Sequence, residues 1–174
     1  MEEALFPEYI TEFSPCRTWR YVHEEQWDDG PCVAFVMFNP STADESQLDP
    51  TLRKCRGFAQ RWGYGRMVIL NLFAVRGTDP RTPSQVSDPV GPMNDYWILK
   101  TVAQAREIVF AYGCGQWIKT PEMKRRPSEF LKLIRAHNEY MLISCLGYRN
   151  DGHPRHPLML SYTTERVGFV PTVQ

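Results

Sequence analysis

Four places along the chain carry side chains suited to chemistry. The first is Asn39-Pro40-Ser41-Thr42, which closes the apolar run Val33 to Phe38 with an amide, a rigid ring and two hydroxyls. The second is Asn71, at the end of the apolar run Met67 to Leu70. The third is the glycine backbone of Tyr112-Gly113-Cys114-Gly115. The fourth is His153-Pro154 followed by His156-Pro157. Short polar side chains, exposed backbone and an imidazole are what a small polar ligand needs for hydrogen bonding. The two histidines stand three apart in a proline-rich stretch with no thiolate or carboxylate pattern to complete a metal set, so no metal and no cofactor is expected.

These residues can act together only if the elements before them converge. The segments 33–38, 67–72, 107–112 and 140–146 read as buried strands separated by helical stretches. Strand-helix alternation of this kind predicts an α/β fold, three layers of α/β/α around a central, mainly parallel four-stranded sheet. In such sheets ligands sit beyond the carboxyl ends of the strands, and all four chemical places fall there. Asp49-Pro50 opens the first helix, with Asp as N-cap and Pro at the first helical position. Leu52, Cys55, Phe58, Ala59 and Trp62 give it one apolar stripe. Asn94 is expected to cap the second helix, and Pro127 to lie near the start of the third. Asp28-Asp29-Gly30 is a turn signal, and residues 16–38 are expected to form an N-terminal β-hairpin leading into the core at about 33–160. The tail from 149 reads as irregular.

At 174 residues the chain fits one domain, 1–174. No apolar run approaches the roughly 20 residues that span a bilayer, and the first residues lack a signal-peptide pattern, so a cytoplasmic protein is expected with no membrane and no obligate protein partner. The five cysteines contain no C-x-x-C pair and read as reduced thiols.

The zero net charge hides an asymmetry: residues 1–50 hold 11 acidic and 2 basic side chains, leaving 9 acidic and 18 basic for residues 51–174. Arg53, Lys54, Arg56, Arg61 and Arg66 form one basic cluster, and Lys119, Lys124, Arg125 and Arg126 another, with Arg53, Lys54, Arg56, Lys124, Arg125 and Arg126 the expected backbone contacts. Either could hold phosphates, so DNA or a nucleotide is the expected partner class.

The stretches "FNPSTAD" at 38–44, "DPTLRKCRGFAQRWGYG" at 49–65, "NLFAVRGTDP" at 71–80, "DPVGPMND" at 88–95 and "HPLML" at 156–160 resemble the bacterial and phage family catalogued as domain of unknown function 1643. That resemblance implies no activity. More distantly, the order and spacing of motifs resemble the uracil-DNA glycosylase superfamily. Its first motif has an Asn-Pro or Asp-Pro core, matched by Asn39-Pro40; an asparagine after apolar residues reads the base, matched by Asn71; its last motif is His-Pro-Ser, matched in part by His156-Pro157-Leu158. This chain departs from the superfamily in having Met37 where a glycine is usual, Leu158 in place of the serine, and no aspartate at the first-motif position.

The resemblance implies hydrolysis of an N-glycosidic bond, with Asn39 and His156 catalytic. Asn39 would orient a water, and His156 would donate to the leaving base. Asn71 would read a pyrimidine edge, and Phe58, Phe73 or Tyr64 would stack on the ring. Pro40, Ser41, Thr42 and Gly113 would complete the ligand site. Leu158, Met159 and Leu160 could form an apolar wedge. The same residues also fit a nucleotide-binding module without catalysis, or an enzyme acting on a free nucleoside or nucleotide.

Overall fold

The computed structural model describes residues 8–42, 49–113 and 115–171. Seven strands form one sheet in the order β1-β2-β4-β3-β5-β6-β7. They are β1 (Glu8–Phe13), β2 (Arg20–Gln26), β3 (Cys32–Met37), β4 (Arg66–Asn71), β5 (Ala105–Phe110), β6 (Leu142–Cys145) and β7 (Val167–Gly168). Among the described residues three α-helices accompany them: α1 (Pro50–Arg61), α2 (Asn94–Val102) and α3 (Pro121–His137). The fold is mixed α/β.

The sheet is larger and more mixed than the four strands expected. Strand β3 pairs parallel with β4 and β5, and β5 pairs parallel with β6. Antiparallel pairs β1–β2, β2–β4 and β6–β7 extend both sides. All six residues of β3 are buried, as its unbroken apolar sequence requires of a strand covered on both faces. Phe58 and Ala59 of α1 pack with Phe35 and Val109 on one face, and Ile98 of α2 and Phe130 of α3 pack with Phe110 on the other. Each fully buried phenylalanine contributes roughly 1.5–3 kcal/mol relative to exposure.

The hairpin expected over 16–38 does not form. The turn at Asp28-Asp29-Gly30 does reverse the chain, but β4 inserts between β2 and β3. Gly30 and Gly65 permit this insertion: a Cβ on Gly65 would lie 2.3 Å from the Gly30 nitrogen, and one on Gly30 would lie 2.7 Å from the Gly65 nitrogen. The antiparallel partners of β2 are instead β1 and β4. At the other edge the tail is not wholly irregular, since β7 pairs with β6 and Phe169 stacks on Phe110 at 4.0 Å between centroids.

Helix α1 begins as expected. Asp49 accepts a hydrogen bond from the Thr51 nitrogen at 2.7 Å, and Pro50 follows at the first turn; such a cap stabilises by about 1 kcal/mol. Helix α2 differs. Asn94 is its first residue rather than its cap, and its Nδ2 donates to the Asn71 carbonyl at 3.1 Å. Helix α3 starts six residues earlier than expected, with Thr120 as cap and Pro121 in the first turn, so that Pro127 lies inside the helix.

Cys16, Cys32, Cys55 and Cys145 are free thiols, the last three buried. Among the described residues no helix is long and apolar enough to cross a membrane.

Candidate functional site

The strand register brings the chemical residues together. Asn71 at the end of β4 is level with Met37 at the end of β3, two residues before Asn39. The ladder runs on past the strand ends, with Leu72 N–H donating to the Met37 carbonyl and Phe73 N–H to the Phe38 carbonyl. On the other side Val36 is level with Phe110, which sets Tyr112-Gly113 beside the same rim.

The segment after β6 then folds back. Arg149 N–H donates to the His153 carbonyl, and Arg155 N–H to the Gly147 carbonyl, forming a small loop that returns the chain across the rim. Its return sets His156 against Gly113, where a Cβ would lie 2.4 Å from the His156 Cβ. Gly113 also has φ +62, in the left-handed region.

A cavity of about 290 Å³ opens at this rim. Asn39, Ser41, Asn71 and His156 line it, as do Asp49, Arg20 and Tyr112. The size is near the lower end of small-molecule sites. Met37, Phe38, Leu52 and Ile69 supply apolar wall, and Gly77, Thr78 and Pro80 of the long 74–94 connection close one side.

Each polar wall group has a definite state. Asn39 Nδ2 donates to the Gly77 carbonyl at 2.9 Å, which commits its nitrogen and leaves Oδ1 as an acceptor. Asn71 is 2% exposed, and its amide makes no hydrogen bond with the described residues. Its polar atoms reach the cavity surface, where a ligand or water can bond them. The Ser41 hydroxyl, by contrast, is fully buried with no partner among the described residues.

His156 Nδ1 accepts from the Leu158 N–H at 3.2 Å, so the neutral ring carries its proton on Nε2. Burial pushes the His156 pKa below the ordinary imidazole value, with the charge of Asp49 opposing the shift. The neutral Nε2–H tautomer is therefore the resting form at neutral pH. His153 lies behind, its Nδ1 3.2 Å from the Tyr112 hydroxyl. Among the described residues no cluster of three or more His, Cys, Asp or Glu could hold a metal.

Several expected site residues lie elsewhere. Phe58 is fully buried against Trp62 and Tyr162, and Phe73 against Phe38, so neither presents a face to the cavity. Tyr64 is buried with its hydroxyl on Glu107 at 2.6 Å, and burial together with that carboxylate pushes its pKa up to about 12. Phe38 and Tyr112 are the aromatic groups in the cavity wall. Pro40 and Thr42 are outside the lining, although the Pro40 carbonyl accepts from Gly77 N–H at 2.9 Å and the Thr42 carbonyl from Arg76. Gly113 shapes the site by admitting His156.

The basic clusters are largely engaged. Arg126 is 3% exposed, donating to the Leu72 carbonyl at 2.9 Å and to Asp95 at 2.7 Å, and is buried structure rather than a phosphate contact. Arg125 pairs with Glu122 and Glu129. Arg56 binds the buried Glu25 at 2.5 Å. Lys54 and Arg61 lie over the Tyr162 ring at 3.9 and 3.8 Å. Arg53 and Lys124 are exposed. Of the expected wedge, Leu158 and Met159 are exposed beside His156, while Leu160 is buried in the core.

Sequence reasoning missed Asp49, Arg20 and Tyr112 as cavity residues. Asp49 was legible only as a helix cap, and nothing in its local pattern showed that α1 aims its first turn at the rim.

No curated protein and no solved structure matches the chain. The family model described as "Protein of unknown function (DUF1643)" matches residues 20–158, and the chain belongs to that family.

Proposed function

We propose that the cavity binds a nucleobase and that the protein hydrolyses its N-glycosidic bond, in the manner of the uracil-DNA glycosylase superfamily. The observation that carries this reading is Asn71, a buried amide in the cavity wall with no partner among the described residues. One donor and one acceptor on a fixed planar group complement the edge of a pyrimidine.

The remaining groups supply the chemistry. Base departure passes through an oxocarbenium-like state, as glycoside hydrolysis does. Negative charge develops on the base, and the Nε2–H of His156 is the preorganised donor for it. Asn39 Oδ1 holds the water that attacks C1′, its orientation fixed by the bond from Nδ2 to Gly77. Phe38 and Tyr112 provide apolar ring surface for the base. On a duplex substrate, Leu158 and Met159 would fill the gap left by a flipped base.

The engaged state of the basic clusters favours a second reading of the substrate, a free nucleoside rather than polymeric DNA. Arg56, Arg125 and Arg126 are paired with carboxylates, which takes half of the expected backbone contacts out of any phosphate-tracking surface. The test is release of free base from single- and double-stranded oligonucleotides carrying uracil or other altered pyrimidines, in parallel with free nucleosides. Release from any of these substrates supports hydrolysis, and their ranking separates the two substrates. Tight binding without release would make the cavity a reader without chemistry.

A further inference from the structure

We propose that Asp49 is the proton acceptor for the attacking water, an assignment that rests on the hydrolytic reading above. A water attacking C1′ must lose a proton, and the cavity wall offers few groups able to take it. Asn39 and Asn71 are neutral amides, and amides are poor proton acceptors. The hydroxyls of Ser41, Thr51 and Thr78 are not bases. His156 has Nδ1 occupied by the Leu158 N–H and its proton on Nε2, so the ring is committed as a donor. Asp49 is the only carboxylate among the described residues that line the cavity.

Its position suits the role. The hydrogen bond from Thr51 N–H to Oδ1, at 2.7 Å, fixes the carboxylate at the first turn of α1. No hydrogen bond from the described residues reaches Oδ2. The charge of Asp49 also reaches His156, which places acceptor and donor in one electrostatic unit.

In the step, the water oxygen forms a bond to C1′ while one of its protons passes to Asp49 Oδ2. The C1′–N bond breaks, and its electron pair leaves with the base, whose developing charge His156 Nε2–H holds. Protonation of the departed base from solvent and loss of the proton from Asp49 restore the resting state.

Asparagine caps a helix as well as aspartate does, so Asp49→Asn removes the proton acceptor and leaves the cap intact. Base release by Asp49→Asn is expected to fall roughly a hundredfold or more, with KM and Tm close to wild type. Asp49→Ala, which opens space, is expected to recover part of its lost rate when formate is added. Formate should not raise the rate of Asn39→Ala. If Asp49→Asn retains wild-type turnover while the wild type releases base, Asp49 is a helix cap only and this assignment falls, with the hydrolytic reading intact. Failure of formate to rescue Asp49→Ala also counts against it. A wild type that releases no base from any substrate overturns both.

Discussion

Gly113 and His156 are locked against each other: the space that a Cβ at residue 113 would occupy is taken by the His156 Cβ, 2.4 Å away. The positive φ of Gly113 adds a second reason why only glycine suits the position. Gly113→Ala is therefore expected to cost about 1–3 kcal/mol of stability and to displace the imidazole from the cavity. Thermal unfolding and base release measured together check this. A variant with wild-type Tm and rate would mean that the loop after β6 has room to shift.

Asn39→Asp tests the committed amide. The Nδ2 donor to the Gly77 carbonyl would become a carboxylate oxygen facing another oxygen. Losing the donor and burying that repulsion is expected to cost about 1–3 kcal/mol and to loosen the Gly77–Pro80 wall. Activity should fall, even though a carboxylate in isolation would suit a cationic sugar. Unchanged Tm with equal or higher turnover would contradict the role given to the Gly77 bond.

The basic side chains divide into structural and available groups. Arg126→Ala is expected to lose about 2 kcal/mol of stability, because it breaks charge-assisted bonds to Asp95 and to the Leu72 carbonyl. Its effect on oligonucleotide affinity should be small once folding is controlled. Neutralising the exposed Arg53 and Lys124 should leave Tm unchanged and lower any oligonucleotide affinity, flattening its salt slope by about one per lost contact. A fluorescence-polarisation titration at two salt concentrations, with Tm alongside, distinguishes these outcomes; the reverse pattern would refute the division.

The pH dependence of stability follows from the two histidines of the rim. Burial pushes both His153 and His156 below the ordinary 6.5; Asp151 opposes the shift at His153 and Asp49 at His156. The unfolded chain then binds more protons than the folded one as pH falls, so stability is full above about 6.5 and declines as pH drops through that value toward the depressed folded values. Burial raises the pKa of Glu25, but its bonds from His23 and Arg56 outweigh that and hold the group below 4.5, so its contribution is lost only at lower pH. Tm measured from about pH 8 to about pH 5 should fall on the acid side, and less steeply in His153→Gln. A flat wild-type profile across that range would contradict the buried, neutral state assigned to these rings.

The sequence made the inner part of the fold legible and left its pairing partners hidden. The apolar runs of β3, β4, β5 and β6 announce burial, and burial on both faces announces interior strands. Nothing in that pattern says which strand lies next to which, and so β4 between β2 and β3 came as a correction. The close approach of Gly30 and Gly65 that allows it depends on residues 35 positions apart. Site residues behaved similarly. Asn39, Asn71 and His156, which line one cavity, could be read from their places at or just after strand ends. Phe58 and Phe73 could be read as apolar but not as facing away from the cavity, because helical and strand periods give burial without naming the neighbour. Asp49 carried a strong local meaning as a cap, and its second position, in the cavity wall, is set by tertiary placement alone.

The most direct test is base release by the wild type and by His156→Ala, on uracil-containing single- and double-stranded oligonucleotides and on free nucleosides. His156→Ala removes one preorganised donor to the leaving base and leaves Asn71 and Asn39 in place. The expected result is measurable release by the wild type and a loss of roughly a hundredfold or more in the variant, with ligand affinity reduced much less. Equal release by wild type and variant would contradict the role of His156, and no release by the wild type from any substrate would contradict the hydrolytic account as a whole.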